Sequence, residues 1–322
     1  MTDNNETQLT LEVPMELTNK RLDQVLGRLM PQYSRALLQR WIKDGHVKVN
    51  GTVMMQQRYK AMAGQIITVD VLAASSELMA KAQPQNIQLD IVHEDQDIIV
   101  INKPVGLVVH PGAGRNDGTL LNALLHYIPK LAQLPRAGIV HRLDKDTSGL
   151  LVIARNLMAH KKLVAALQAR EVKREYQAIV RGKIIAGGTI NVPIGRHQTK
   201  RTLMAVIENG NSKGREAVTH YRVIERMMQH TYIQVMLETG RTHQIRVHMA
   251  YIDHPIIGDQ VYGGGMKFSK GASVELRQFL LNFKRQALHA AKLTLIHPTT
   301  NKEIEFTAPL PQDMQELLQL LR

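Results

Sequence analysis

The amino-acid sequence predicts an α+β protein whose larger unit is built on a mixed, largely antiparallel central sheet, with a small α/β unit ahead of it. Short β-favouring runs come in adjacent groups separated by isolated helical stretches, a spacing that favours hairpin pairing over a doubly wound parallel sheet. The 322 residues amount to about two domains, each long enough to bury its own core. A stretch poor in large apolar residues, with Ser75, Ser76 and Pro84, divides them. The expected boundaries are 1–75 for the first unit, 76–86 for a linker and 87–322 for the second.

In chain order, Lys20–Met30 carries Leu22, Val25, Leu26, Leu29 and Met30 at helical spacing. After Pro31, Ser34 is the expected cap of a second helix with Leu37, Leu38, Trp41 and Ile42 on one face and Arg35, Arg40 and Lys43 elsewhere. Gly45 ends it, and Val47-Lys48-Val49-Asn50-Gly51 reads as a strand and tight turn. Trp41 belongs to the core on this reading, not to a base-stacking platform. Beyond the linker, strands are expected at 89–93, 98–101, 150–154, 176–180, 218–224, 232–237, 288–296 and 303–307, with helices at 120–127, 158–170 and 312–321.

Composition narrows the partners. Lys and Arg number 41 against 28 acids, a formal charge of +13, as expected of a protein that meets phosphate. The excess is local: residues 156–230 hold fourteen Lys and Arg against five Glu, and residues 20–60 nine against two. No apolar run reaches the roughly 18 residues of a membrane span, and the start Met1-Thr2-Asp3-Asn4-Asn5-Glu6 is the opposite of a signal peptide. With no cysteine there is neither disulfide nor thiol chemistry. A soluble cytoplasmic protein without membrane partners, acting as a monomer, is expected.

The decapeptide His141-Arg142-Leu143-Asp144-Lys145-Asp146-Thr147-Ser148-Gly149-Leu150 places charged groups and a Thr-Ser-Gly turn between the apolar runs Gly138-Ile139-Val140 and Leu150–Ala154. It reads as a polar loop joining two core strands, where catalytic groups are commonly placed. An EF-hand loop fails because Arg155 occupies its twelfth position. A kinase catalytic loop fails because Leu143 intervenes and no DFG triplet follows. An aspartyl-phosphate phosphatase would use Asp144 and Asp146 two apart, but needs a downstream acidic pair, and Asp259 has no second carboxylate near it in sequence. A plain satisfied turn remains the alternative if the loop is taken alone.

Two further clusters follow: Lys173-Arg174-Glu175-Tyr176, opening an apolar alternation, and Glu238–Met249, containing Arg241-Thr242-His243-Gln244-Ile245-Arg246-Val247-His248. In order and wording the three motifs resemble the pseudouridine synthases of the large-subunit ribosomal RNA type, over roughly Leu9 to the C-terminus. The first unit is similar to the S-four-type RNA-binding domain, at Ser34-Arg35 and Gly45–Gly51.

The resemblance implies that specific uridines are isomerised to pseudouridine, without a cofactor, in large-subunit ribosomal RNA or the assembling large subunit. It makes Asp144 the nucleophile, a carboxylate able to add to an electrophilic carbon of ribose or base. Arg246 becomes its salt-bridge partner, and Tyr176 the residue that lies against the base and moves a proton. Ile245 or Val247 would floor the uracil. Arg142 would fill the space of a flipped-out uridine, while His141 is a hydrogen-bonding neighbour lining the substrate site. Arg35, Arg40 and Lys43 are the RNA-binding cations expected of the first unit.

His243, His248 and His254 match no common zinc spacing, so no metal is expected. Gly112, Gly114 and Gly118 lack the Gly-Lys-Ser/Thr ending of a phosphate loop and read as a turn, and the stretch Tyr262–Lys267 reads as a flexible segment, either a substrate loop or a plain connection. A non-catalytic RNA-binding ribosome-assembly factor is the competing function. It would use the basic surfaces and have no need of Asp144, Tyr176 and Arg246.

Overall fold

The computed structural model describes residues 8–30, 33, 35–70, 83–111, 117–200, 203–207, 214–265, 268 and 271–322. The expected Ser34 cap, most of the linker, Gly112, Gly114, Met266 and Lys267 lie outside them.

The first unit runs β1 (Gln8–Glu12), β2 (Lys20–Arg21), α1 (Leu22–Leu29), α2 (Arg35–Lys43), β3 (Val47–Val49), β4 (Thr52–Val53), β5 (Lys60–Ala61) and β6 (Ile66–Asp70). Four of these strands form an antiparallel sheet in the order β1-β6-β3-β4. Leu22, Val25 and Leu26 from α1 and Leu38, Trp41 and Ile42 from α2 bury against Val47, Ile67 and Val69. Trp41 is core, with the Tyr33 ring 4.7 Å away. The β3–β4 turn needs two left-handed residues, and Asn50 and Gly51 supply them at φ 47° and 82°.

The second unit contains β7 (Ile91–Glu94), β8 (Ile98–Lys103), α3 (Leu120–Tyr127), β9 (Ser148–Ala154), α4 (Leu157–Gln168), β10 (Lys173–Arg181), β11 (Gly188–Asn191), β12 (Ile194–Arg196), β13 (Met204–Val206), β14 (Val218–Arg226), β15 (His230–Leu237), α5 (Gln244–Tyr251), α6 (Val274–Asn282), β16 (Leu288–Ile296), β17 (Glu303–Thr307) and α7 (Gln312–Leu321). The central sheet has the order β11-β14-β15-β10-β16-β9-β8-β7, with β17 on the far half of β16. All its pairings are antiparallel except the short β16–β9 contact, so it is mixed and largely antiparallel. Alternate residues of β8 and β9 serve opposite faces. Ile99, Ile101, Leu151 and Ile153 join the large core with α3 and α7, while Ile98, Val100, Leu150 and Val152 pack with Leu163 of α4.

One expectation fails at the entrance to the polar loop. Gly138-Ile139-Val140 is not a core strand: Pro135–Gly138 is a 3-10 turn, and Ile139 makes a single bridge to Ile153. Arg136, Ala137 and Gly138 all have positive φ, at 53°, 51° and 79°. A Cβ on Gly138 would lie 1.9 Å from the Ala154 carbonyl oxygen, so this turn depends on glycine to press the loop entrance against β9.

Candidate active site

The loop before β9 is anchored from four sides. Thr147 N–H donates to the Asp144 carbonyl at 3.1 Å and closes a turn. Gln286 donates to Thr147 Oγ1 at 2.9 Å, and Ser148 Oγ is 2.9 Å from His289 Nδ1. From below, the fully buried Lys103 donates to the carbonyls of Pro104, Leu107 and Lys145 at 2.7, 3.1 and 3.0 Å. Burial pulls the Lys103 pKa down to about 8, although Asp146 and Asp144 favour the charged form. Nothing in the spacing of Asn102-Lys103-Pro104 disclosed this role, because a lysine beside a proline reads as an exposed turn.

Asp144 faces a cleft of about 1090 Å³, with room for a base and its neighbours. Its side chain is 17% exposed, and Arg246 Nη1 donates to Oδ2 at 3.1 Å. Arg246 is itself held from behind: its Nε and Nη2 fork onto the two oxygens of the buried Asp259 at 2.7 and 2.9 Å. Burial would raise the Asp259 pKa, but Arg246 and the amides of Val261 and Tyr262 outweigh it and hold the carboxyl below the usual range. Burial likewise opposes the Arg246 charge, and the two aspartates more than restore it. The Arg246 guanidinium also lies 5.0 Å from the centre of the Tyr262 ring. Asp259, set aside on sequence for want of a neighbouring carboxylate, is thus the residue that aims Arg246. The partnership spans 13 positions and an irregular loop, and no local pattern carries it.

Tyr176 is buried on β10 and lines the same cleft. Burial raises its pKa; Arg174 opposes that and Asp144 adds to it, so the phenol keeps its proton at neutral pH. Ile245 lines the cleft, whereas Val247 packs with Ile194 and Ala217 in a separate cluster. The reason is helical: Gln244–Tyr251 forms α5, in which residues two apart point about 200° apart. Val247 therefore does not face the cleft. Arg142 is exposed at the cleft wall. His141 also lines the cleft, but its Nε2 accepts the Val152 N–H at 3.1 Å, and burial pushes its pKa to about 3. It stays neutral and braces the loop entrance on β9.

The remaining wall is cationic, with Arg40, Arg136, Arg170, Arg174 and Arg241. Glu238 also lines it but is bound to Arg170 and His220 at 3.1 and 2.7 Å. Arg40 pairs with Asp44 at 3.3 Å, and Arg35, its side chain 53% exposed, pairs with the buried Asp23 at 2.9 Å. Lys43 is exposed at the end of α2.

The three suspect histidines are dispersed. His248 is buried against Thr219 and the Val192 carbonyl, His254 contacts the Arg181 carbonyl, and His243 faces the cleft. Among the described residues, Asp95, Asp97 and His297 are close enough to share an ion. His297 Nδ1 accepts the amides of Thr299 and Thr300, so its proton sits on Nε2, which donates to Asp95 at 3.1 Å. That tautomer leaves the ring without the free Nε2 lone pair a metal needs.

Fold and site together define an RNA pseudouridylate synthase: that family's profile matches residues 97–251, and an S4 domain matches residues 20–66. Two human structures agree in fold. RNA Pseudouridylate Synthase Domain Containing 4 is 25% identical, with a TM-score of 0.56, covering 76% of this chain and 95% of that one. Domain Containing 1 is 28% identical, with a TM-score of 0.52, covering 74% and 96%. Ribosomal large subunit pseudouridine synthase D of Escherichia coli strain K12 is 53% identical over 315 residues, 98% of this chain and 94% of the relative. That of Vibrio parahaemolyticus is 53% identical over 314 residues, and that of Yersinia pestis 51% over 317. The chain belongs to the pseudouridine synthase D family.

Proposed function

We propose that this protein converts uridines of large-subunit ribosomal RNA to pseudouridine, in the stem-loop that faces the small subunit, with Asp144 as nucleophile and no cofactor. The observation that carries the reading is the finish of Asp144: one oxygen is anchored by a rigidly held arginine, and the carboxylate opens into a cleft whose wall carries Arg40, Arg136, Arg142, Arg170, Arg174 and Arg241. A pure RNA binder gains nothing from a carboxylate there, since it repels phosphate.

Arg142 fills the stack when the target uridine leaves it, offsetting part of the few kcal/mol that flipping costs. The base enters between Ile245 and Tyr176. The neutral phenol of Tyr176 is the proton-transfer group. Arg40, Lys43 and the cleft arginines hold the backbone, and the N-terminal unit delivers substrate without entering the chemistry. The protein works in the cytoplasm as a monomer.

Pseudouridine mapped by sequencing after incubation of the purified enzyme with ribosomal RNA or large-subunit particles tests both site and substrate. Asp144→Asn should lose more than about a thousandfold in single turnover, roughly 4 kcal/mol of barrier, with RNA affinity nearly intact. Turnover by a folded Asp144→Asn protein would refute the nucleophile.

A further inference from the structure

Behind the Asp144–Arg246 pair lies a chain of polar contacts that runs from the β12–β13 hairpin through Tyr262 and His243 toward Asp144. Met204 N–H, on the β12–β13 hairpin, donates to the Tyr262 hydroxyl oxygen at 3.0 Å. The same hydroxyl is 2.8 Å from His243 Nδ1. Because Met204 can only donate, it occupies the acceptor side of the phenol. With Met204 on the phenol oxygen, the arrangement that also uses the phenol's own proton donates it to His243 Nδ1. A ring whose Nδ1 accepts carries its proton on Nε2 when neutral. That atom stands 3.9 Å from Asp144 Oδ1, the oxygen that Arg246 does not touch.

We propose that Tyr262 fixes the tautomer of His243 so that its Nε2 proton faces Asp144 Oδ1, making His243 a positioning residue for the carboxylate and tying it to the β12–β13 hairpin. The inference rests on the reading of Asp144 as nucleophile. Arg246 holds Oδ2 as the spectator oxygen, and His243 limits the rotation that would exchange the two. The backbone is shaped for this: His243 has φ +57° at the start of α5, a left-handed conformation that is costly for histidine and directs its ring into the cleft. The ring meets Tyr262 edge-on at 5.6 Å. Charges reach it from every side: Asp144 and Arg142 from the loop, Arg246 from its own helix, and Asp259 from the segment carrying Tyr262. Burial holds His243 toward its neutral form against the pull of Asp144.

Tyr262→Phe keeps the ring over Arg246 and removes only the hydroxyl. Protonating Nδ1 then no longer costs a hydrogen bond, so the imidazole charges more easily and pairs with Asp144 as a cation. Single-turnover rates at saturating RNA should drop roughly tenfold to a hundredfold with Kd unchanged. The variant should also acquire an acid limb near about pH 6.5 that the wild type lacks. His243→Gln, which keeps an N–H donor but cannot titrate, should recover most of the rate, and adding Tyr262→Phe to it should bring no acid limb.

Ring-nitrogen NMR of the wild-type protein, needing no variant, should show His243 protonated on Nε2. A proton on Nδ1 overturns the proposal. If Asp144→Asn is inactive while Tyr262→Phe and wild type share one rate and one pH profile, the relay fails and the nucleophile stands. If Asp144→Asn turns over, the nucleophile reading falls and takes the positioning role with it, whatever the tautomer.

Discussion

Asp23 and Asp144 both sit among arginines, and they are completed differently. Asp23 in the N-terminal unit is fully covered: Arg21 donates at 3.0 and 3.1 Å, Arg35 at 3.2 and 2.9 Å, and Gln39 adds a further bond. Among the described residues the Asp144 carboxylate takes one hydrogen bond, from Arg246, and keeps an open side toward the cleft. The carboxylate equivalent to Asp23 in the catalytic unit is Asp259, which is buried and takes a full fork. A carboxylate whose oxygens are all engaged serves structure, and one left with spare lone pairs can serve chemistry. The same residue types in nearly the same company therefore do opposite work, and the difference lies in how many donors reach them.

That contrast can be broken by removing the charges in turn. Asp259→Asn leaves a buried guanidinium short of its partner, and should cost about 3–5 kcal/mol of stability in chemical denaturation. Turnover should fall with it, because Arg246 loses its aim. If Asp259→Asn kept full stability and full rate, the distinction between holder and held would be wrong. Tyr176→Phe keeps the ring against the base and deletes the proton. We expect a loss of about a hundredfold or more in single turnover and an unchanged Kd; a wild-type rate would leave Tyr176 a stacking residue only.

Lys103 tests the floor of the site by pH. Its folded pKa of about 8 is below the ordinary 10.5, so between those values the unfolded chain holds the extra proton and stability rises with pH. Below about pH 8 both states are charged, and the folded protein carries the full cost of burial. Lys103→Met should flatten that rise and lower stability at neutral pH by about 2 kcal/mol, since three carbonyls lose their donor. Parallel curves for the two proteins would place the titration elsewhere. Asp23→Asn, by contrast, should cost only about 1–2 kcal/mol, because its arginines reach solvent, and should leave the rate at saturating RNA nearly unchanged. Smallest of all, Lys43→Gln should reduce the slope of log affinity against log salt by about 0.7. An unchanged slope would mean that Lys43 does not touch RNA.

Regular elements with clean periodicity were legible from the sequence. The helices at 120–127 and 312–321 and the strands at 288–296 and 303–307 lie where spacing put them. The helix Gln244–Tyr251 was not, because six of its eight residues are buried and no polar stripe marks a face; its N-cap is a left-handed histidine with no capping bond. Val274–Asn282 escaped notice although Ser273 caps it at 3.0 Å, and the brief strands 188–191, 194–196 and 204–206 fall below the length at which alternation speaks. In the site, Asp144, Tyr176 and Arg246 came from motif wording. Asp259, Tyr262 and Lys103 act across the fold, through contacts that no window of sequence contains.

Gly149 stands where strands β8, β9 and β16 meet, and a Cβ there would lie 2.2 Å from the Ala290 carbonyl oxygen. The loop it terminates is fastened by Arg246, Gln286 and His289, all encoded more than a hundred residues later. On the ribosome, the stretch bearing Asp144 thus emerges long before the residues that shape it. The chain can expose its basic first unit to RNA before the site exists, and the site is complete only once β16 has been made and lies beside Gly149.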